Sequence, residues 1–370
     1  MNIAIYQPRV SYYLGGGEVI PLEHARLFST RGHRVTIVTV RAPYITQSDF
    51  FKEFIRKNKK VRVSYTDLPK EYAVIYKETP GIEWNRWIME SVYGGQRALS
   101  YFSKNTFDIV AVHNAYDMIG VPLKQRSALH LHGYPREAEP MHRALFSGAD
   151  EIIAVSKKIQ EEWERMVPGT KMRVVENGID PSIADTPSTL PAEKFDVLYI
   201  GRLIPVKGVS YLIHAIREVK KFHPEVRVAI AGDGPQKKEL ENLARKLGVS
   251  KHIQFFGRVS EKTKDSLFRG SSMLVAPSVG KEGVLTTMLE AATYGVPTIT
   301  TTSGSMKEFL EHKKNGLMVS PENAREISKS ILRLLKNKDE AERLGKNAEK
   351  NARETILFIA AHIPDSVPRI

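Results

Sequence analysis

Residues 280–291 read GKEGVLTTMLEA and set two carboxylates, Glu282 and Glu290, on either side of seven mostly apolar residues that include a threonine pair. A helix buried all round would carry Leu or Ala at the inner glutamate, because an unpaired carboxylate away from water is costly. Glu290 is therefore expected either to reach a solvated face or to meet a hydrogen-bonding partner that the chain itself does not supply. Ser278 to Gly283 follows a strand and contains two glycines, so Glu282 reads as a loop residue. The helix is expected to begin around Val284–Leu285 and to stop at Gly295. Eight residues at ideal helical spacing put the two carboxylates ~80° apart in azimuth and ~12 Å apart along the axis. That is too far for joint attack on one bond, as a glycosidase pair requires. It suits gripping the two ends of one extended ligand, with the helix's first amides free to bind an anion between them. Glutamate, anion site, glutamate is the layout for a hydroxylated sugar, a diphosphate and a ribose.

Two further segments offer anion contacts. In GRLIPVKG (201–208), Pro205 and Gly208 punctuate a loop with Arg202 and Lys207 at its ends. Two cations at a strand-to-helix junction suit a diphosphate, although two solvated surface cations would read the same way. The triplet Gly15, Gly16, Gly17 opens a helix without the full G-x-G-x-x-G spacing, so it makes no dinucleotide claim. It still lets backbone approach a phosphate or sugar closely, where a plain tight turn needs one glycine. His132, in HLHGYP, and His113, in AVHNAYD, each end a strand. A lone histidine is commonly structural, but two at strand ends raise the case that one lines a ligand site.

The elements that must position these residues repeat in two halves. The first runs NIAIYQ, the glycine turn, a helix over Val19–Thr30, HRVTIVTV, DIVAVHN, SALHLHG and DEIIAVS. The second restarts with FDVLYIGRL, VSYLIHAIREVKKF and VRVAIAGDG, then a helix closed by Gly248, then HIQFFGRV, SSMLVAPS and VPTITTT. Short apolar strands alternating with helices predict an α/β chain of two doubly wound, parallel-sheet, Rossmann-like domains. IDPSIADTPSTLPAEKF, with three prolines, reads as the linker, giving domains at 1–188 and 189–354. Ligands in such sheets bind beyond the carboxyl ends of the strands, and two such rims facing each other would make a cleft.

Composition narrows the classes. The chain has 370 residues, 42% of them hydrophobic and 26% charged, as in folded globular proteins. Cysteine is absent, which excludes thiol nucleophiles, disulfides and cysteine-ligated metals. The 11 histidines show no H-E-x-x-H spacing; His130 and His132 fall on one face of a strand, and no metal is expected there. No apolar run reaches the ~20 residues of a membrane span, and MNIAIYQPRV reads as a strand and not a signal peptide, so the cytoplasm is the expected compartment. The net charge is +13; the first 188 residues carry 25 Lys/Arg against 21 Asp/Glu, and the rest 30 against 21. This excess is dispersed along helices instead of gathered with aromatics, which argues against nucleic acid and for an anionic small molecule or surface. If FFKEFIRKNKK (50–60) is helical, Phe50, Phe51, Phe54 and Ile55 fall within a ~140° arc opposite five basic residues. Such a helix can lie on an anionic membrane or pack its stripe on the domain's own sheet.

The segments LGGGEV, AVHN, HLHG, DEIIAVS, VVENGID, YIGRLIPVKG, IAGDGP and FFGRV, and above all E-x7-E in SVGKEGVLTTMLEAATYGVPTI, resemble a retaining GT-B glycosyltransferase of the family 4 type. The likeness runs in order from about residue 2 to 335. It implies two Rossmann-like domains facing each other across a cleft, an acceptor-side one first and a donor-binding one second. The implied donor is a nucleotide-diphosphate sugar; no cofactor and no metal are implied. Arg202 and Lys207 would hold the diphosphate, with Gly16 and Gly17 closing from the first domain. Glu290 would accept from ribose hydroxyls, Glu282 would contact the donor sugar, and backbone around Val259 would read the base. Gly283, Val284, Leu285 and Thr286 would lie against the donor, and His132 would line the reaction centre. Lipid-linked acceptors occur in this family, which links it to the amphipathic segment. The chain departs from the pattern in three places. Val284 and Leu285 replace an aromatic and a glycine, SGSMKE carries Ser303 and Ser305 around a single glycine, and the end (355–370) is broken by proline where a last helix normally crosses back. A nucleotide-sugar epimerase of the same architecture, a glycan phosphorylase and a basic nucleic-acid-binding protein are the competing readings.

Overall fold

The computed structural model describes residues 1–370 apart from 14–15, 42–45, 71–82, 114–124, 136–140 and 363–370. The chain divides into two compact units, Met1–Glu176 and Asn177–Ile370. The division falls ahead of the proline-rich stretch because Ile179 is buried in the second unit's core with Phe195 and Leu267.

The first unit holds β1 (Asn2–Tyr6), α1 (Gly16–Thr30), β2 (Arg34–Arg41), α2 (Asp49–Lys57), β3 (Arg62–Asp67), α3 (Glu83–Phe102), β4 (Ile109–Val112), β5 (Ser127–Leu131), α4 (Met141–Phe146), β6 (Glu151–Ala154), α5 (Lys157–Met166) and β7 (Arg173–Val174). Its seven strands are all parallel, in the order β3-β2-β1-β4-β5-β6-β7. The central strands are buried along their whole length, as covered parallel strands must be. Helix α2 forms where its amphipathic pattern indicates, with Ser48 Oγ accepting from Phe51 N as its N-cap. Phe51 and Phe54 are buried, and Phe50 and Ile55 half-buried, so the apolar stripe is committed to the domain and the basic residues face out.

The second unit holds α6 (Ser182–Asp185), β8 (Val197–Ile200), α7 (Val209–Val219), β9 (Val228–Ala231), α8 (Lys237–Lys246), β10 (Ile253–Gly257), α9 (Glu261–Gly270), β11 (Leu274–Ala276), α10 (Thr286–Thr293), β12 (Thr298–Thr301), α11 (Met306–Phe309), β13 (Gly316–Val319), α12 (Ala324–Lys336) and α13 (Lys338–His362). Its sheet runs β10-β9-β8-β11-β12-β13, again all parallel. In both units the chain starts in the middle, walks to one edge, then returns and walks to the other. The order therefore reverses between β1 and β4 and between β8 and β11, where open α/β sheets leave a crevice for a ligand. Helix α7 buries Leu212, Ile213 and Ile216 on one side of the second sheet, and α10 buries Met288, Leu289 and Ala292 with the other core. Helix α13 runs to His362, and the proline-broken tail at 363–370 lies outside the described residues. No helix among the described residues is long and apolar enough to cross a membrane.

Candidate functional site

The loops that follow β8 and β11 are neighbours at the reversal of the second sheet. They are stitched to one another: Val279 N donates to Val206 O at 2.8 Å. Gly208 has φ +64°, and a methyl there would sit 2.1 Å from Pro277 O; one at Gly280 would sit 2.1 Å from Val206 Cγ2. Both glycines are demanded by this close approach. Across the seam Lys207 Nζ meets Glu282 Oε1 at 2.6 Å, with both side chains largely buried. The Glu282 backbone is gripped from the other side, its carbonyl accepting from Ser305 N at 2.9 Å. Gly304, at φ +59°, passes so near that an added methyl would lie 2.1 Å from Glu282 O. Thr301 Oγ1 donates to Ser278 O at 2.5 Å and anchors the loop's start.

Glu282 Oε2 is buried and has no hydrogen-bond partner among the described residues. A buried carboxylate oxygen left open is costly unless a ligand donor completes it. Beneath it the Tyr199 hydroxyl donates to Arg202 O at 2.8 Å, and burial together with the Glu282 charge raises its pKa, so it stays protonated. Arg202 is exposed on the same loop. Two cationic side chains, one of them shared with a carboxylate, thus stand at a strand-to-helix junction.

Helix α10 begins one turn beyond Glu282. Leu285 at its N-cap is extended (φ −68°, ψ 128°) and offers no capping side chain to the first amides. Gly283, Val284, Leu285 and Thr286 are all partly accessible there. Because Glu282 lies outside the helix, the ideal-helix offset between the two glutamates does not describe them; loop packing sets the position of Glu282. Glu290 is on the helix, 9% exposed. It does not reach a solvated face, and the chain itself supplies one partner, with Lys264 Nζ of α9 donating to Glu290 Oε1 at 2.6 Å. Lys264 also meets Glu261 at 2.9 Å. Burial alone would push the Lys264 ammonium down, but the two carboxylates outweigh it and hold its pKa above the ordinary value. Val259, half-buried, immediately precedes α9 and packs on the core that holds Leu289.

In the first unit His132 sits just past β5, and its Nε2 is 2.9 Å from Nδ1 of His113 at the end of β4. His130, two residues back, stacks on a face of His113 with ring centroids 4.4 Å apart, while His132 meets the edge of that ring. His24 from α1 approaches His113 and His130 at 5.2 and 5.4 Å. Burial depresses the pKa of each imidazole, to about 4 for His24 and about 3 for His132, and well below the ordinary value for His113 and His130. All four are neutral at pH 7. His113 Nε2 and His132 Nδ1 are buried without a partner among the described residues. Gly16 and Gly17 open α1, and a methyl at Gly17 would meet nothing within 4 Å, so packing does not require glycine there.

The sequence singles out none of Lys264, Tyr199 and His24 as parts of these sites, while it places His130 with His132 on one strand face and Gly304 within SGSMKE without giving either a role. A signal existed for His24, which interrupts the inward stripe of α1. Lys264 had none, because its pairing is made only when α9 and α10 pack.

Two family models match consecutive parts of the chain: Glycosyltransferase Family 4 over residues 14–183 and Glycosyl transferases group 1 over residues 183–351. An uncharacterized glycosyltransferase of Methanocaldococcus jannaschii is 31% identical over 220 residues, covering 55% of each chain. Glycogen synthase of Mycobacterium tuberculosis is 29% identical over 221 residues, covering 58% of this chain and 52% of that one. The matched stretches thus span only about half the length of these curated relatives. The fold matches the crystal structure of Anabaena HepE in complex with UDP-glucose, with TM-score 0.76 at 18% identity over 99% of this chain and 98% of that chain.

Proposed function

The chain belongs to the group 1 glycosyltransferases of the GT-B fold, and from that premise we propose that it moves a sugar from a nucleotide-diphosphate sugar to a sugar, lipid-linked or small-molecule acceptor, with retention at the anomeric carbon and without a metal in the transfer step. The observation that carries this reading is the Lys207–Glu282 pair, pinned between two loops at the order reversal of the second sheet with Glu282 Oε2 left open. In this reading Arg202 and Lys207 neutralise the diphosphate, whose charge grows as the sugar departs. Glu282 Oε2 accepts from the donor sugar's hydroxyls while Oε1 holds Lys207 in place. Gly283, Val284, Leu285 and Thr286 bring the open end of α10 to the phosphates. Glu290, oriented by Lys264, accepts from the ribose, and backbone at Val259 meets the base. His132, with Gly16 and Gly17, is the first unit's contribution; a neutral imidazole there can accept or donate one hydrogen bond to the sugar without adding charge. Contact with an anionic membrane is proposed in electrostatic form only, through the exposed Lys52, Arg56, Lys57, Lys59 and Lys60.

Titration calorimetry with nucleoside diphosphates, run beside a transfer assay, tests the assignment. Glu290→Gln is expected to weaken the bare diphosphate by about 1.5–3 kcal/mol, the worth of a hydrogen bond to a charged acceptor. Glu282→Gln is expected to bind it almost normally yet transfer poorly. Arg202→Ala and Lys207→Ala should lose both. Normal nucleotide affinity in Glu290→Gln would place the ligand elsewhere, and an inverted product anomer by NMR would remove the retaining mechanism.

A further inference from the structure

We propose that His24, His113 and His130 form a binding site for a borderline transition-metal cation of the zinc class inside the first unit, separate from the donor-binding residues of the second. The ligand atoms of these three residues all lie within 4.8 Å of one another, and each residue is buried. They come from three elements, α1, β4 and β5, that the parallel sheet and its covering helix hold together. Buried polar atoms normally have partners. Yet Nε2 of His113, in a residue with no exposed surface, has none among the described residues. Its other nitrogen is already engaged by His132 at 2.9 Å. In the tautomer that puts the His113 proton on Nδ1, facing His132, Nε2 carries an open lone pair in a fully buried ring beside two more imidazoles, a set of donors for an electrophile.

The donor set selects the ion. Three nitrogens with no carboxylate or carbonyl oxygen disfavour calcium and magnesium, which take oxygen ligands, and absent thiolates remove the soft sites. Neutral imidazoles suit zinc, cobalt, nickel or copper, and three of them leave a fourth position open, as in three-histidine zinc sites. Bonds of about 2.05 Å in tetrahedral geometry space nitrogens by roughly 3.3 Å, so no pair needs to close by more than about 1.5 Å. The rings of His113 and His130 are nearly parallel, at 8°. Lone pairs lie in the ring planes, so one of the two rings must tilt out of the stack when the ion enters. Side-chain rotation of His130 provides this without moving β5.

Occupancy has a consequence for the neighbouring histidine. A cation on Nε2 of His113 makes its Nδ1 the N–H, which then donates to His132 Nε2 and leaves the remaining proton of His132 on Nδ1. This His113–His132 hydrogen bond fixes tautomer and ring orientation together. The ion would thereby set which atom of His132 faces a ligand without touching that ligand itself.

Chelator-stripped full-length protein titrated with cobalt(II) reads the site directly, with no need of transferase activity. The expected result is a visible d–d band saturating at about one ion per chain and displaced by zinc. His24→Leu and His130→Val should each weaken or abolish the band, while His132→Ala should keep it. A band of equal strength in the His24→Leu/His130→Val double variant would mean adventitious binding and overturn the proposal, as would no saturable band in the wild type. Should these variants fail the circular-dichroism check for folding, X-ray absorption of the zinc-loaded wild type counts imidazole ligands instead. Three support the site, and one or none overturns it. A normal cobalt titration with failed nucleotide binding would refute the proposed function and leave the metal site standing.

Discussion

Replacing Gly304 with alanine isolates how far the position of Glu282 controls transfer. The added methyl would lie 2.1 Å from Glu282 O and 2.6 Å from Glu282 N. Real Cβ contacts are not made below about 3 Å, and the crowding atoms are backbone, so the Glu282 loop must retreat by about 1 Å, a displacement that costs on the order of 10²-fold in rate when it moves a group at the reacting centre. The left-handed backbone at Gly304 (φ +59°) adds roughly 1–2 kcal/mol of strain for any residue with a Cβ. Gly295→Ala separates the two effects. Gly295 shares the conformation, at φ +64°, but its methyl would meet only Glu349 Oε2, at an ordinary 3.6 Å. Gly295→Ala should therefore lose only the strain term in a thermal melt and keep its turnover, while Gly304→Ala loses that, further stability from the clash, and turnover. Calorimetry should find the bare diphosphate still bound by Gly304→Ala, because Arg202 and the loop after β8 are not displaced directly. Near-wild-type turnover in Gly304→Ala, or an equal fall in both variants, would refute the role given to Glu282.

The Lys264 pair predicts an asymmetry. Lys264→Met strips Glu290 of its 2.6 Å partner and should cost about 3 kcal/mol or more, whereas Glu290→Gln leaves Lys264 with Glu261 and should cost less; equal losses in denaturant titrations would contradict the pairing. His132→Ala is expected to lower kcat far more than donor affinity, and equal losses in both would move His132 from the reaction centre to the donor grip. Flotation with anionic vesicles should occur at low salt and vanish as salt rises, since Phe51 and Phe54 are buried and only charge is left to act; absence of binding at low salt removes the membrane contact.

Apart from the edge strand β10, the strands that could be read from sequence are those the sheets cover on both faces. HRVTIVTV, DIVAVHN and SALHLHG became β2, β4 and β5, whose interiors are buried throughout. The strands that were not read are β3, β7 and β13, and all three lie at sheet edges. An edge strand has a neighbour on one side only, so it needs neither length nor a continuous apolar run: β3 is mostly half-exposed and β7 has two residues. The helix at 49–57 was legible as a helix, but its sided pattern could not say what the aromatic face meets. Burial of Phe51 and Phe54 answers that, and pattern alone leaves membrane and core equivalent because both are apolar.

The meeting of Lys207 with Glu282 was legible for a related reason. Loops that follow strands β8 and β11 are far apart in the chain but adjacent in any sheet of this order, so Lys207 and Glu282 meet as a consequence of topology. What topology does not specify is the state in which they meet. Whether Glu290 is lone or paired depends on how α9 leans on α10, and a separation of 26 residues carries no register from which to infer it. The single glycine of SGSMKE shows the same limit from the opposite side. By residue identity, Ser303 and Ser305 stand around a single glycine where the resembled family has two. In the fold the left-handed turn and the 2.1 Å approach to Glu282 both fall on Gly304, the glycine that is kept. Ser305 contributes through its backbone amide, which any residue but proline could supply, so its hydroxymethyl is compatible with the grip on Glu282 O. A motif read by residue identity counts two losses there; read by what each backbone position must do, it counts none.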